Sequence, residues 1–160
     1  MLQIVGIADM KISGQPGDQL ITYALGSCLG ISIYDPVAQV GGLLHVMLPR
    51  STIDDANASD HALRFVDTGV PRLFLECYKA GAQKQRLIVK VAGGASTQRD
   101  EAQDCFQIGK RNMTMLKKLL WKNNVILQAH DVGGHHPRTM MLDIQGGTVT
   151  IKSHGHENIL

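Results

Sequence analysis

The sequence predicts an α+β fold: mixed, largely antiparallel β-sheets packed with two main helices in a single compact domain spanning 1–160. Three observations predict it. Short apolar segments rich in β-branched residues come in runs at both ends of the chain, and only two stretches between them carry helical periodicity. The third is length, since 160 residues provide one well-buried core but not two full domains.

"LQIVGIADMKIS" reads as an opening strand, and "GQPGDQ" then turns the chain through two glycines and Pro16. "LITYAL" is a second strand. "GISIYDP" and "GGLLHVMLP" follow as further strands, the first closed by Asp35-Pro36, with Gly41-Gly42 marking the bend between them. "RSTIDDANASDH" is polar and reads as a mobile surface loop. A helix is expected from near Val70, where Val70, Leu73, Phe74, Cys77 and Tyr78 share a face, Pro71 suits a first turn and Gly81 a C-terminal cap. "RLIVKVAGGAS" reads as a buried strand. A longer helix spans roughly Cys105 to Lys122, with Met113, Leu116, Leu119 and Leu120 as its apolar stripe and lysines on the solvated side. "VILQAHDVGG", "RTMMLDI" and "GTVTIKSH" are three strands, the last two a hairpin through "QGG", and residues 154–160 form a mobile tail.

Composition narrows the function. Hydrophobic residues at 44% and charged residues at 19%, without a long polar tract, exclude intrinsic disorder. A net charge of +2 and aromatics at 4% argue against nucleic-acid binding, which needs basic density and stacking surfaces. No apolar run approaches a membrane span, and Asp9 and Lys11 fall where a signal peptide would continue its apolar segment. A cytoplasmic protein without membrane insertion is expected. Cys28, Cys77 and Cys105 are odd in number, widely spaced and free of any CxxC pair, which points to free thiols.

The stretch "YALGSCLGISIYD" sets Cys28 between Gly26 and Gly30, where the backbone can turn sharply and a substrate can approach main-chain N–H groups. A nucleophilic cysteine also needs an imidazole to exchange its proton. If "GISIYD" and "GGLLHVM" pair as a hairpin around Asp35-Pro36, His45 runs back toward Cys28. The same residues also fit a core thiol and a strand histidine, and the pattern alone leaves both readings open. His130, Asp131, His135, His136, His154 and His156 invite a metal reading, but their spacing fits no ligand motif, so no metal site is assigned.

"TYALGSCLGISIYDPVAQVGGLLHVMLP" resembles the signature block of the bacterial chemoreceptor glutamine deamidases, the CheD family, and the likeness continues in "GGAS", "IGKRN", "DVGG" and "GGTVTIK". The resemblance implies that Cys28 is the nucleophile, His45 its proton partner and Thr22 the third member that orients His45. It implies hydrolysis of receptor glutamine amides to glutamate through a thioester, with the Ser27 and Cys28 main-chain N–H groups as the oxyanion hole and no cofactor. Receptor glutamyl methyl esters offer the same acyl carbon. The implied partners are methyl-accepting chemotaxis receptors, through their cytoplasmic helices, and a CheC-type phosphatase. The chain departs from the family pattern at "GGHHPR", where His135, His136 and Pro137 replace smaller residues before Arg138. The competing readings are a non-catalytic chemotaxis interaction module and a histidine-rich metal-binding protein.

Overall fold

The computed structural model describes residues 1–51, 61–96, 98 and 100–160, so nearly all of the polar loop expected from Arg50 to His61 lies outside the described residues. Among the described residues, ten strands form two five-stranded sheets. The first sheet runs β2 (Asp9–Ser13), β5 (Val40–Val46), β4 (Leu29–Asp35), β6 (Ile88–Gly93) and β7 (Leu127–Val132). The second runs β1 (Leu2–Ile4), β3 (Gln19–Leu25), β8 (Arg138–Asp143), β9 (Val149–Ser153) and β10 (His156–Ile159). Pairing is antiparallel except for β1 with β3 and β6 with β7, giving the mixed α+β architecture that the sequence predicts.

The first sheet is the middle layer. Along β4 and β5 every residue is buried, because helices cover one face and the second sheet covers the other. Ile31, Ile33, Leu44 and Val46 pack against α1 (Val66–Lys79) and α2 (Ile108–Lys122), through Val70, Leu73, Cys77, Leu116 and Leu120. The alternate residues Tyr34 and Leu43 join Leu20, Leu25, Met140 and Leu142 of the second sheet, as the two-residue period of a strand requires.

The β4–β5 hairpin forms around Asp35-Pro36, as expected, with Gly30 opposite His45 and Leu29 opposite Val46. Its closed end is fixed by Asp35, whose side chain is fully buried. One carboxylate oxygen accepts from the Val37 and Ala38 N–H groups at 2.9 and 3.1 Å, and the other from Gln83 N–H at 2.8 Å. Arg86 closes the set with an ion pair at 2.8 Å. Burial alone would push the carboxyl pKa up, but the Arg86 bonds and then the three N–H donors outweigh it and hold the group well below the carboxylate range.

Four expectations change. The opening segment is two strands, not one, because the chain reverses at Gly6 to Ala8, the latter at φ +53°, and sends β1 and β2 to different sheets. α1 starts at Val66 rather than near Val70, because Phe65 bridges Leu48 and the Val66 N–H bonds to the Leu48 carbonyl at 2.8 Å. Pro71 is therefore inside the helix instead of in its first turn. α2 starts at Ile108, after Gln107 in the left-handed region at φ +46°, rather than at Cys105. Residues expected as a tail form β10, since His154 and Gly155, at φ +51° and +69°, make a tight two-residue reversal that pairs His156 with Ser153.

Replacing Asp35 by Asn should destabilise the protein by about 2–3 kcal/mol in urea unfolding near neutral pH, because a buried charge-assisted network loses its charge. A folded-state pKa below the unfolded one gives stability present above the ordinary carboxylate range and lost as pH falls toward the folded value. The difference between parent and Asp35→Asn should thus stay level from pH 5 to 8 and shrink below pH 4.

Candidate active site

Thr22 and His45 meet between the two sheets, and Cys28 lies on the same side of the hairpin. Gly30 faces His45 across the hairpin, and Cys28 lies two residues before Gly30 on the same face, which makes it the diagonal cross-strand neighbour of His45. The Cys28 side chain is half-buried and packs on the inter-sheet core. Thr22 reaches the histidine from the second sheet. A bulge in β3 sets Tyr23 and Ala24 against the single residue Thr139 of β8, so Thr22 and Leu25 on either side stay fully buried while Tyr23 and Ala24 are turned out. Ala24 adopts φ +56°, a strain of about 1–2 kcal/mol for a residue with a Cβ.

The hydrogen bonds fix the histidine tautomer. Thr22 Oγ1 lies 2.8 Å from the Val5 carbonyl and 2.8 Å from His45 Nδ1. A carbonyl only accepts, so the single hydroxyl proton goes to Val5, and toward His45 the oxygen can only accept. Nδ1 therefore carries the ring proton, and Nε2 is left as a bare lone pair. That Nε2 is buried and has no hydrogen-bond partner among the described residues.

Burial decides the resting charges. It pushes the His45 pKa below 6.5, so the imidazole is neutral at pH 7. It pushes the Cys28 thiol above 9.0, an effect partly offset by the main-chain N–H of Cys28 itself. The resting pair is a neutral thiol and a neutral imidazole rather than a thiolate with an imidazolium.

The turn carrying Cys28 is held from behind by the segment after β6. Gly94 N–H donates to the Cys28 carbonyl at 2.9 Å and Ala95 N–H to the Gly26 carbonyl at 2.8 Å. Gly93 sits at φ +113°, and a Cβ there would stand 2.2 Å from the Cys28 carbonyl oxygen, so only glycine fits. Arg138 braces this segment, donating to the carbonyls of Gly93 and Gly133 at 3.2 and 2.8 Å while Nε bonds to Asp131 at 3.1 Å. Among the described residues, the Ser27 and Cys28 N–H groups donate to no other main-chain or side-chain acceptor.

The other candidates lie elsewhere. Cys77 is buried against α1's core, and burial, then the Glu76 charge, push its thiol up to about 12; Cys105 is exposed. The rings of His136 and His154 meet edge to face at 3.6 Å. Among the described residues no three His, Cys, Asp or Glu side chains gather closely enough to hold a metal ion. The sequence reading missed the Val5 carbonyl and Asn112 of α2, whose Nδ2 donates to the Ser27 and Met47 carbonyls at 3.0 Å each. Asn112 had a readable signal: it is a polar residue at i−4 from Leu116 on the helix's buried stripe. A main-chain carbonyl leaves none.

Alkylation of Cys28 by iodoacetamide, followed by peptide mass spectrometry, should rise continuously with pH through 9, because a raised thiol pKa keeps the thiolate fraction small at neutrality. A rate already level by pH 7 would mean a preformed thiolate.

The chain matches the family model described as CheD chemotactic sensory transduction over residues 47–153. It is 50% identical over 152 residues to a probable chemoreceptor glutamine deamidase, CheD 1, of Syntrophus aciditrophicus (strain SB), covering 95% of this chain and 94% of that relative. The probable chemoreceptor glutamine deamidase CheD of Solibacter usitatus (strain Ellin6076) is 46% identical over 157 residues, covering 98% and 92%. That of Desulforamulus reducens is 44% identical over 153 residues, covering 94% and 90%. With a hairpin that aligns a cysteine and a histidine, a threonine bonded to that histidine, and likeness over nearly its whole length, the chain belongs to the CheD family.

Proposed function

We propose that this protein is a protein-glutamine deamidase that converts glutamine side chains on the cytoplasmic helices of chemotaxis receptors to glutamate. The observation that carries the reading is the Thr22–His45 bond, which leaves a bare Nε2 on the strand beside Cys28 in a chain so similar to relatives named as deamidases. Among the described residues no helix is long and apolar enough to cross a membrane, and the expected location is the cytoplasm, where those receptor helices lie.

The substrate amide carbon is attacked by Cys28 Sγ as His45 Nε2 takes the thiol proton, so the C–S bond forms while the carbonyl electron pair moves to oxygen. The Ser27 and Cys28 N–H groups receive that oxyanion. One such donor is worth about 10²–10³-fold in rate. The C–N bond then breaks, and His45 gives its proton to the leaving nitrogen, releasing ammonia and a thioester. Water, deprotonated by His45, attacks the thioester, the C–S bond breaks and the thiol is restored with a carboxylate on the substrate. Thr22 keeps Nδ1 protonated throughout, so the same nitrogen does both transfers. No cofactor enters these steps. A glutamyl methyl ester fits the same sequence with methanol leaving. A neutral resting pair makes proton transfer and attack concerted, and the activity should fall at pH values low enough to protonate His45.

Two cavities of the molecule, of about 170 and 340 Å³, do not include the triad in their walls. The family resemblance further implies docking of a CheC-type phosphatase, which would couple receptor modification to adaptation.

Incubation with a receptor fragment should raise its intact mass by roughly one dalton per glutamine and release equimolar ammonia. Cys28→Ala should abolish both, while Cys77→Ala and Cys105→Ala retain them. Equal turnover by Cys28→Ala and the parent would refute the cysteine mechanism, and no turnover by the parent would leave an interaction module as the better reading.

A further inference from the structure

Asn112 lies outside the triad, yet it is fully buried and spends both of its amide hydrogens on the turn and strand that carry Cys28 and His45. One goes to the Ser27 carbonyl and the other to the Met47 carbonyl, two residues beyond His45. The β4–β5 ladder ends at the Leu29–Val46 pair, so a single side chain from α2 closes the open end of the hairpin that Asp35 closes at the other. Its Oδ1 is buried with no partner among the described residues. An orphaned buried acceptor costs about 1–3 kcal/mol, a cost that an apolar residue of the same size would avoid. The position is therefore explained by the two donors.

We propose that Asn112 is the positioning residue of the active-site turn, aiming the Cys28 main-chain N–H into the site. The Ser27 carbonyl and the Cys28 N–H belong to one planar peptide group, and no cis peptide bond occurs among the described residues, so the two point in opposite directions. α2 packs on one face of the first sheet, and the Thr22–His45 pair lies on the other. Anchoring the carbonyl toward the helix layer turns the N–H toward the layer where the thiol and the imidazole sit. A hydrogen bond accepted by the carbonyl also polarises the peptide and strengthens the same N–H as a donor. Asn112 thereby supports both the oxyanion and the thiolate without touching substrate. The inference rests on the deamidase reading for its kinetic consequence but not for its effect on the thiol.

The test compares the parent, Cys28→Ala and Asn112→Leu, with deamidation of a receptor fragment and the pH dependence of Cys28 alkylation as readouts. Asn112→Leu keeps the branched shape and the number of side-chain heavy atoms, removes the orphaned acceptor and deletes both donors. Its kcat should fall about 10- to 100-fold with KM within about twofold, as for an interaction realised in the transition state. Its Cys28 alkylation curve should move to higher pH, a change that a purely structural role would not produce. A folded Asn112→Leu with parental kcat and an unmoved alkylation curve would overturn the proposal. Inactivity of the parent would instead refute the deamidase reading, and full activity of Cys28→Ala the cysteine mechanism, and in either case the alkylation curve would still judge Asn112. If Asn112→Leu does not fold, Asn112→Ser is measured in its place, with the same losses expected and parental values again overturning the proposal.

Discussion

The hydrogen bond from His45 Nδ1 to Thr22 Oγ1 is the contact around which the site is arranged, and it crosses from one sheet to the other. It exists because the two sheets pack face to face and because a bulge keeps both Thr22 and Leu25 turned inward. The Val5 carbonyl completes it. Without that acceptor the hydroxyl could donate to the imidazole, and the free nitrogen would then be a proton donor instead of a base. A main-chain atom of the connection between β1 and β2 thus sets the chemistry of a side chain two strands away.

Everything else keeps the hairpin in register with that contact. Asp35 holds the closed end, and its many donors offset the desolvation of a buried charge. Asn112 bridges the open end, and the Gly93–Ala95 segment, braced by Arg138, supports the turn from behind. The strain of Ala24 and the restriction of Gly93 to glycine are local costs of placing a half-buried thiol beside a buried imidazole. The same burial favours the neutral form of both groups, raising the thiol and lowering the imidazole.

Much of this was legible in the sequence, and what was not has a physical cause. The hairpin announced itself through Asp35-Pro36, and its register followed from pairing the flanking strands, which is why Cys28 and His45 could be set on neighbouring positions; Gly41-Gly42, expected to mark the bend, instead lie inside β5 opposite Tyr34 and Ile33, because the chain has already turned between Asp35 and Val40. The helices were visible in their apolar stripes, although their starts were not. A tertiary bridge from Leu48 nucleates α1 early, and Gln107 in a left-handed conformation delays α2. Thr22 was identified only through family resemblance, because a strand threonine is ordinary and its partner is on another sheet. The split of β1 from β2 and the pairing of β10 depend on Ala8 and His154 adopting positive φ, which their residue types do not advertise.

The most direct measurement is the protonation state of the His45 ring by nitrogen-15 NMR, with its signals assigned among the seven histidines by comparison with His45→Gln. At pH 7.5 the Thr22 and Val5 contacts put a proton on Nδ1 and burial keeps the ring neutral with a bare Nε2, and Thr22→Val should release the Nδ1 preference. A ring protonated on Nε2, or on both nitrogens, at that pH would contradict the arrangement.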